Sequence, residues 1–132
     1  IYGTASADIL LGDLGDDLLY GGAGNDRLTG LTGADAFFGG DGFDIVDYAQ
    51  SATAVTVNLA NPLANLGAAA LGDSYTSIEG LIGSAFADHL TGTSGATRLE
   101  GGAGNDWMSG LLLWRQRDRH GGLRQRPDRD PA

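Results

Sequence analysis

Residues 21–29 read GGAGNDRLT and residues 101–109 read GGAGNDWMS, so one chain contains the hexapeptide GGAGND twice. Glycine loses more conformational freedom on folding than any other residue, and glycine at this density therefore requires a compensating interaction. The aspartate that closes each hexapeptide, Asp26 or Asp106, is the first candidate for that interaction. Both stretches belong to a longer pattern, whose period is nine residues.

The pattern divides the chain into blocks of nine residues, each beginning with glycine. Five blocks follow one another without a gap over residues 3–47, and three more occupy residues 83–109. The sixth place is Thr97 in the block 92–100 and aspartate in the other seven blocks: Asp8, Asp17, Asp26, Asp35, Asp44, Asp88 and Asp106. The eighth place is apolar in every block: Leu10, Leu19, Leu28, Phe37, Val46, Leu90, Leu99 and Met108.

This spacing predicts the fold class. An amphipathic helix needs several apolar residues in every two turns, and one obligatory apolar place in nine does not supply them. The pattern instead favours a glycine-rich turn of six residues followed by a strand of three, whose middle residue faces inward. Two blocks would complete one coil, so blocks n and n+2 stack on the same side. We therefore predict an all-β fold, a parallel β-roll, which is a flattened right-handed parallel β-solenoid whose core forms only by stacking.

Stacking brings the aspartates together. Neighbouring strands lie about 4.8 Å apart, so the aspartates of blocks n and n+2 approach to about that spacing and repel one another unless a cation lies between them. Calcium binds oxygen ligands at about 2.3–2.6 Å, and the glycine turns offer further carbonyl oxygens. Zinc favours cysteine and histidine ligands, and magnesium demands tight octahedral geometry. Ca²⁺ is therefore the cofactor that the spacing favours.

The repeat also resembles a known family, the RTX (repeats-in-toxin) or haemolysin-type calcium-binding nonapeptide GGxGxDxUx, in which U is a large apolar residue. The blocks GGAGNDRLT, GGDGFDIVD and GGAGNDWMS match it at every fixed position, and the resemblance spans residues 3–110. It implies a calcium-binding module of a bacterial secreted protein. Such a module is exported by the type I secretion machinery and folds outside the cell when Ca²⁺ binds, in an extracellular or cell-surface location.

Four pairs of aspartates are predicted to hold calcium, and roughly two to four ions are expected. Asp26 with Asp44 has complete GGxGxD turns, whereas Asp13 and Leu31 replace the second glycine for Asp17 with Asp35. In the pair Asp8 and Asp26, Ser6 stands in place of the fourth-place glycine of the first turn. In the pair Asp88 and Asp106, Phe86 stands in that place. The expected metal-site glycines are those of the complete turns: Gly21, Gly22, Gly24, Gly39, Gly40, Gly42, Gly101, Gly102 and Gly104. The remaining turn aspartates are expected to add negative charge rather than ligands: Asp13, Asp16, Asp41 and Asp47.

The chain organises into four parts: array 1 (1–47), a connector (48–82), array 2 (83–110) and a tail (111–132). In the connector, Val55, Val57 and Leu59 alternate as in a strand. Ile78 and one of Leu81 or Ile82 are expected to face inward, and we interpret the connector as an irregular extra coil that resembles the spacers between such arrays.

The tail lacks both the nonapeptide repeat and the net negative charge of the residues before it. Residues 1–110 carry 14 acidic groups against Arg27 and Arg98, whereas the tail carries six arginines against three aspartates. An uncleaved export signal and a basic nucleic-acid patch are two interpretations, but arginine excess disfavours the first and scarce aromatics the second. A third is suggested by RQR, which occurs at 115–117 and at 124–126, nine residues apart. In a neighbouring reading frame such codons can encode Gly-Asn followed by an acidic residue, so a frameshifted, disordered tail is expected.

Composition narrows the function further. The chain has no cysteine, which excludes thiol chemistry and disulfides, and its net charge of −9 disfavours nucleic acid as a partner. No apolar run is long enough to span a membrane. The sequence begins IYGTASAD, without an initiator methionine, and is therefore expected to be a fragment.

No catalytic motif appears, so we do not expect this stretch to be an enzyme, although a catalytic domain outside it is conceivable. His89 is at an outward strand place and His120 lies in the tail. The alternative function is an adhesin or carbohydrate-handling module that uses the outer face of the roll. On that alternative, Trp107 and Tyr20 would contact sugars.

Overall fold

The computed structural model describes residues 1–93, 97–109, 112–117 and 123–124, the last two ranges as backbone only. These residues form short strands and one turn of 3₁₀ helix at Pro62–Ala64. The strands are β1 (Ile9–Leu11), β2 (Leu18–Tyr20), β3 (Arg27–Thr29), β4 (Ala36–Phe38), β5 (Ile45–Asp47), β6 (Thr56–Asn58), β7 (Ser74–Thr76), β8 (Gly80–Ile82), β9 (His89–Thr91), β10 (Thr97–Glu100), β11 (Trp107–Ser109), β12 (Leu112–Arg117) and β13 (Leu123–Arg124).

Each nonapeptide block contributes one strand at its last three places, as the spacing predicts. The apolar residue at the eighth place is buried in all eight blocks. Its two neighbours face outward because successive side chains of a strand point to opposite faces. The core is therefore a stack of single residues, one from each strand, which together form a continuous cluster.

The strands pair in parallel between blocks n and n+2, which confirms the predicted parallel β-roll. On one side, β1, β3, β5, β8, β10 and β12 follow one another, with Leu10, Leu28 and Val46 in register. On the other side, β2, β4 and β7 form one sheet, and β6, β9 and β11 form another. The first side therefore runs through both arrays, whereas the second side is divided.

The connector supplies strands to both of the divided sheets. β6 pairs with β9 of array 2, whereas β7, which follows β6 in the chain, pairs with β4 of array 1. β8 lies between β5 and β10 and joins the arrays on the continuous side. Ile78 and Leu81 are buried, as expected for the connector, and the alternating residues Val55, Val57 and Leu59 are buried as well.

Two segments of the tail are described, both as strands, and the expectation of disorder for the tail as a whole stays a prediction. β12 continues the parallel sheet next to β10, and β13 pairs antiparallel with β12. The remaining tail residues, including His120 and most of the second RQR segment, lie outside the described residues, and so does the prediction of a frameshift.

Candidate metal centre

The seven repeat aspartates at the sixth place lie directly before their strands, and hydrogen bonds link those of blocks n and n+2. The backbone N–H of Asp26 donates to Oδ1 of Asp44, and that of Asp8 donates to Oδ1 of Asp26, both at 2.9 Å. The other two predicted pairs are linked in the same way, Asp17 with Asp35 at 2.9 Å and Asp88 with Asp106 at 2.7 Å. The fold thus brings together every aspartate pair that the sequence suggests, and we call these series the carboxylate ladders.

The second carboxylate oxygen of three aspartates has no hydrogen-bond partner within the described part of the chain. These oxygens are Oδ2 of Asp26, Asp35 and Asp44, whose residues are at most 2% exposed. A buried carboxylate without a partner costs several kcal/mol, unless it binds a proton or a cation. The ladders therefore place anionic oxygens where a positive charge is required.

A main-chain carbonyl oxygen lies beside these carboxylate oxygens. A Cβ built on Gly21 would be 2.5 Å from Asp26 Oδ2 and 2.7 Å from the carbonyl oxygen of Gly39, the first residue of the block two places later. The equivalent space at Gly83 adjoins Asp88 Oδ2 and the Gly101 carbonyl. Only glycine leaves this space open, and the two oxygens on its borders are close enough for one ion with bonds of about 2.3–2.6 Å to bridge them. The donor set, carboxylate plus carbonyl oxygen, fits Ca²⁺.

The three glycines of a complete turn have two different roles. The second and fourth adopt positive φ, as at Gly22 (92°) and Gly24 (93°), a conformation that other residues rarely adopt. The first glycine does not adopt positive φ and is needed instead because a side chain would fill the space beside the aspartate. The same division holds for the complete turns that begin at Gly39 and Gly101.

The second place of each turn determines whether the aspartate oxygen is free. Where that residue lacks positive φ, its N–H donates to Oδ2 of the aspartate, as Thr4 does to Asp8 at 2.5 Å and Ser84 to Asp88 at 2.7 Å. Asp13 does the same to Asp17 at 3.0 Å. These hydrogen bonds partly neutralise the oxygen and leave it a weaker metal ligand.

Leu31 is the exception that the sequence does not reveal. It occupies the second place of its turn without being glycine, yet it adopts φ of 72°. Its turn therefore resembles those of Gly22 and Gly40, and Asp35 keeps an unpartnered Oδ2 as far as the described residues show. The replacement of glycine by leucine here is consequently less damaging to the site than the sequence suggests.

Burial raises the pKa of two of these carboxylates. The pKa of Asp35 rises to about 6 and that of Asp44 to about 7, chiefly through desolvation, which the hydrogen bond from the preceding rung only partly opposes. Repulsion from neighbouring carboxylates adds to both shifts. Without a cation, both groups therefore bind protons at a higher pH than an ordinary aspartate does, and Asp44 is partly protonated near neutral pH.

The turn aspartates that were not expected to be ligands lie elsewhere. Asp47 forms an ion pair with Arg27 at 2.7 Å, and Asp16 accepts the N–H of Ala34 at 2.8 Å. Asp13 and Asp41 are exposed. His89 is exposed as well, and its ring centroid is 6.1 Å from that of Trp107.

Sequence reasoning missed two members of the carboxylate ladders, both in the connector. The N–H of Asp35 donates to Oδ1 of Asp73 at 2.8 Å, and the N–H of Asp44 donates to Oε1 of Glu79 at 2.7 Å. Their separations from those partners, 38 and 35 residues, hide them from a search for spacings of 18. The available signal is that each directly precedes a short strand with a large middle residue, Tyr75 or Leu81, as the repeat aspartates do.

Asp73 ends its ladder without an open carboxylate oxygen. The Tyr48 hydroxyl donates to Asp73 Oδ2 at 2.6 Å and lies 2.5 Å from the Tyr75 hydroxyl, which accepts the side-chain N–H of Asn65 at 2.8 Å. Burial raises the pKa of Asp73 to about 7, although the hydrogen bonds from Tyr48 and Asp35 lower it. A hydroxyl proton thus fills at Asp73 the place that is open at Asp35, the neighbouring rung.

No three acidic, histidine or cysteine side chains converge into a metal cluster in the described ranges. The same ranges contain no helix long and apolar enough to cross a membrane. A roll of glycine- and aspartate-rich nonapeptides with paired carboxylate and carbonyl oxygens defines a repeat module suited to binding calcium.

Comparison with known families agrees. The RTX calcium-binding nonapeptide repeat, described as four copies, matches residues 2–36, 11–46 and 82–112. These matches cover more than half of the chain, and the chain belongs to this family of structural calcium-binding repeats. No curated protein shows significant similarity to it.

Proposed function

We propose that residues 3–110 form a calcium-dependent folding module of a secreted protein, without catalytic activity of its own. The observation that carries the proposal is the set of buried, unpartnered Oδ2 atoms of Asp26, Asp35 and Asp44 within the described structure. Ca²⁺ would be held by these carboxylates together with carbonyl oxygens of the turns, such as that of Gly39. The ion would supply the positive charge that the fold itself lacks.

Magnitudes favour metal-coupled folding over binding to a preformed roll. At about 1.4 kcal/mol per pKa unit, keeping Asp35 and Asp44 ionised in the calcium-free roll costs roughly 3 kcal/mol or more each at neutral pH. Net stabilities of domains are only about 5–15 kcal/mol, so a few such carboxylates cancel a large part of the total. We expect the chain to be largely unfolded without calcium and to fold when the ions bind.

Export follows from this coupling and from the family. Extracellular calcium modules bind at about 10⁻⁴–10⁻³ M, far above cytosolic calcium. A chain that stays unfolded before export and folds outside the cell suits type I secretion, which is the partner and location that we propose.

Far-UV circular dichroism of the protein with millimolar Ca²⁺ and with excess chelator tests the proposal. We expect β-structure only with Ca²⁺, and a sharp, cooperative titration. Asp26→Asn keeps an oxygen for the Asp8 N–H but removes the charge, and should shift the titration to higher calcium. The charge-matched control is Asp41→Asn, at an exposed position. Full β-structure in chelator would contradict metal-coupled folding.

The alternative, an adhesive or carbohydrate-handling surface, has less support. Tyr20 is stacked between Tyr2 and Phe38, with ring centroids 4.8 and 4.6 Å away and nearly parallel planes, so both faces of its ring are covered. Trp107 remains 47% exposed. Glycan binding that Trp107→Ala abolishes, and Tyr20→Ala leaves intact, would revive this alternative.

A further inference from the structure

The turn that joins β7 to β8 contains Ser77, Ile78 and Glu79 and is half as long as the six-residue turns of the nonapeptides. The first and last residues of this turn nevertheless occupy places equivalent to those of a nonapeptide block. Ser77 directly follows β7, whose Thr76 carbonyl accepts the N–H of Gly39 at 2.9 Å, just as the Phe38 carbonyl accepts the N–H of Gly21. Glu79 directly precedes β8, as Asp44 precedes β5. The short turn therefore supplies both the first and the sixth place of a block.

The carbonyl oxygen of Ser77 lies where the roll elsewhere places a glycine carbonyl. A Cβ built on Gly39 would be 2.5 Å from Asp44 Oδ2 and closer still to the Ser77 carbonyl oxygen. The corresponding space at Gly21 is bordered by Asp26 Oδ2 and the Gly39 carbonyl. Since both oxygens at Gly39 lie within 2.5 Å of one point, they are at most about 5 Å apart, which one calcium ion can bridge.

Two further features distinguish this short turn. Ser77 adopts φ of 57°, a left-handed conformation that is unfavourable for a residue with a side chain. Glu79 accepts the N–H of Asp44 at 2.7 Å, the role that Asp44 plays for Asp26. The glutamate side chain is one methylene longer than aspartate, which suits the shorter turn.

We propose that Asp44 Oδ2 and the Ser77 main-chain carbonyl form a further calcium site where array 1 meets the connector, with Glu79 as a positioning residue. The inference rests on the proposed calcium function, but Ser77 and Glu79 lie outside the family match, which omits residues 47–81. Asp44 is fully buried, and its Oδ2 has no hydrogen-bond partner in the described ranges. The ion at this site is separate from the one that Asp26 Oδ2 and the Gly39 carbonyl would share.

A pair of substitutions at Ser77 tests the site, with bound calcium counted by native mass spectrometry. Proline fixes φ near −65° and cannot keep the carbonyl in place, so Ser77→Pro should bind one ion fewer than the wild type. Ser77→Gly keeps the carbonyl and relieves the strain, and should bind the full number more tightly. Asp41→Asn, which removes an exposed charge from the preceding turn, is the control and should keep the wild-type count. A folded Ser77→Pro protein that binds as many ions as the wild type would overturn the proposal.

A second set of variants decides the question if Ser77→Pro does not fold. Asp26→Asn and Asp44→Asn each retain an oxygen for the ladder hydrogen bond. If the two carboxylates serve separate ions, the double variant should lose as many ions as the two single variants together. A smaller loss in the double variant would mean that Asp26 and Asp44 share an ion, and would refute the connector site. A wild-type protein that binds no calcium would instead refute the proposed function itself.

Discussion

The second residue of each turn has an effect that a repeat consensus does not reveal. Positive φ at that place, as in Gly22 and Gly40, turns the N–H away from the aspartate and leaves its Oδ2 open. Without positive φ, as at Ser84, the same N–H satisfies the carboxylate. A single backbone dihedral thus distinguishes an aspartate that needs a cation from one that the protein already satisfies.

Glycine at the first place should be required for space rather than for conformation. In Gly21→Ala, the added methyl group would overlap Asp26 Oδ2 and the Gly39 carbonyl oxygen. We expect this variant to lose a calcium ion and to need more calcium to fold, as measured by native mass spectrometry and circular dichroism.

Gly15→Ala is the matched control for that variant. Gly15 adopts φ of 102° and a Cβ there would meet open space, so alanine would be strained by about 1–2 kcal/mol without obstructing a site. Its calcium count should equal that of the wild type. A Gly21→Ala protein that binds as many ions as the wild type would show that the space beside Asp26 is not a binding site.

At the scale of the elements, buried hydrogen bonds lie where the sheet of β2, β4 and β7 meets the connector on the divided side. Tyr75 takes the inward place of β7 that is aliphatic or phenylalanine in the repeats, and its ring stacks on Phe37 at 5.8 Å. Its hydroxyl contacts the Tyr48 hydroxyl and accepts a hydrogen bond from the Asn65 side-chain amide, in a buried network. Burial and the neighbouring acidic groups raise the pKa of both tyrosines, which therefore remain protonated donors.

Removing the Tyr48 hydroxyl should destabilise the roll even when calcium is saturating. Tyr48→Phe leaves Asp73 Oδ2 buried without its donor, and a buried group that loses its partner costs about 1–3 kcal/mol. Urea unfolding in excess Ca²⁺ should show this decrease in the free energy of unfolding. Tyr20→Phe, which removes a hydroxyl from the outer face, should change it by much less, and equal effects of the two variants would argue against the network.

The regular period allowed the strands, their pairing and the inward residues of the arrays to be predicted, because each block repeats the same local geometry. Prediction from the period failed at specific residues of the connector. Asp73 and Glu79 join the ladders at separations of 38 and 35 residues, and Glu79 follows a turn without glycine. Leu31 adopts φ of 72°, a glycine-like value that its residue type does not indicate.

At the scale of the whole molecule, the raised pKa values predict how acid affects the calcium-free protein. Asp35, Asp44 and Asp73 have pKa values of about 6, 7 and 7 in the folded state, above the ordinary 3.8. Between pH 3.8 and about 7, the folded state therefore binds more protons than the unfolded state. The free energy of unfolding of the calcium-free protein accordingly falls as the pH rises through this range.

We accordingly expect calcium-free protein to gain β-structure when the pH is lowered from about 8 to about 5, where the carboxylates become neutral. Circular dichroism and urea unfolding in calcium-free buffer measure this gain. With saturating Ca²⁺, the cation replaces the protons on Asp35 and Asp44, so the pH dependence should become smaller and arise chiefly from Asp73, which binds no ion. Calcium-free protein that loses structure over the same range would contradict the raised pKa values.

The crossing of β6 and β7 means that neither half of the molecule is complete without a piece of the other. A single cut between Pro62 and Leu71 would leave β6 with the first fragment, although its partner β9 belongs to the second. The second fragment would carry β7, whose partner β4 remains with the first. The two fragments should therefore reassemble as a non-covalent complex when mixed with calcium, so this loop is a natural split point for a protein-complementation reporter of extracellular calcium.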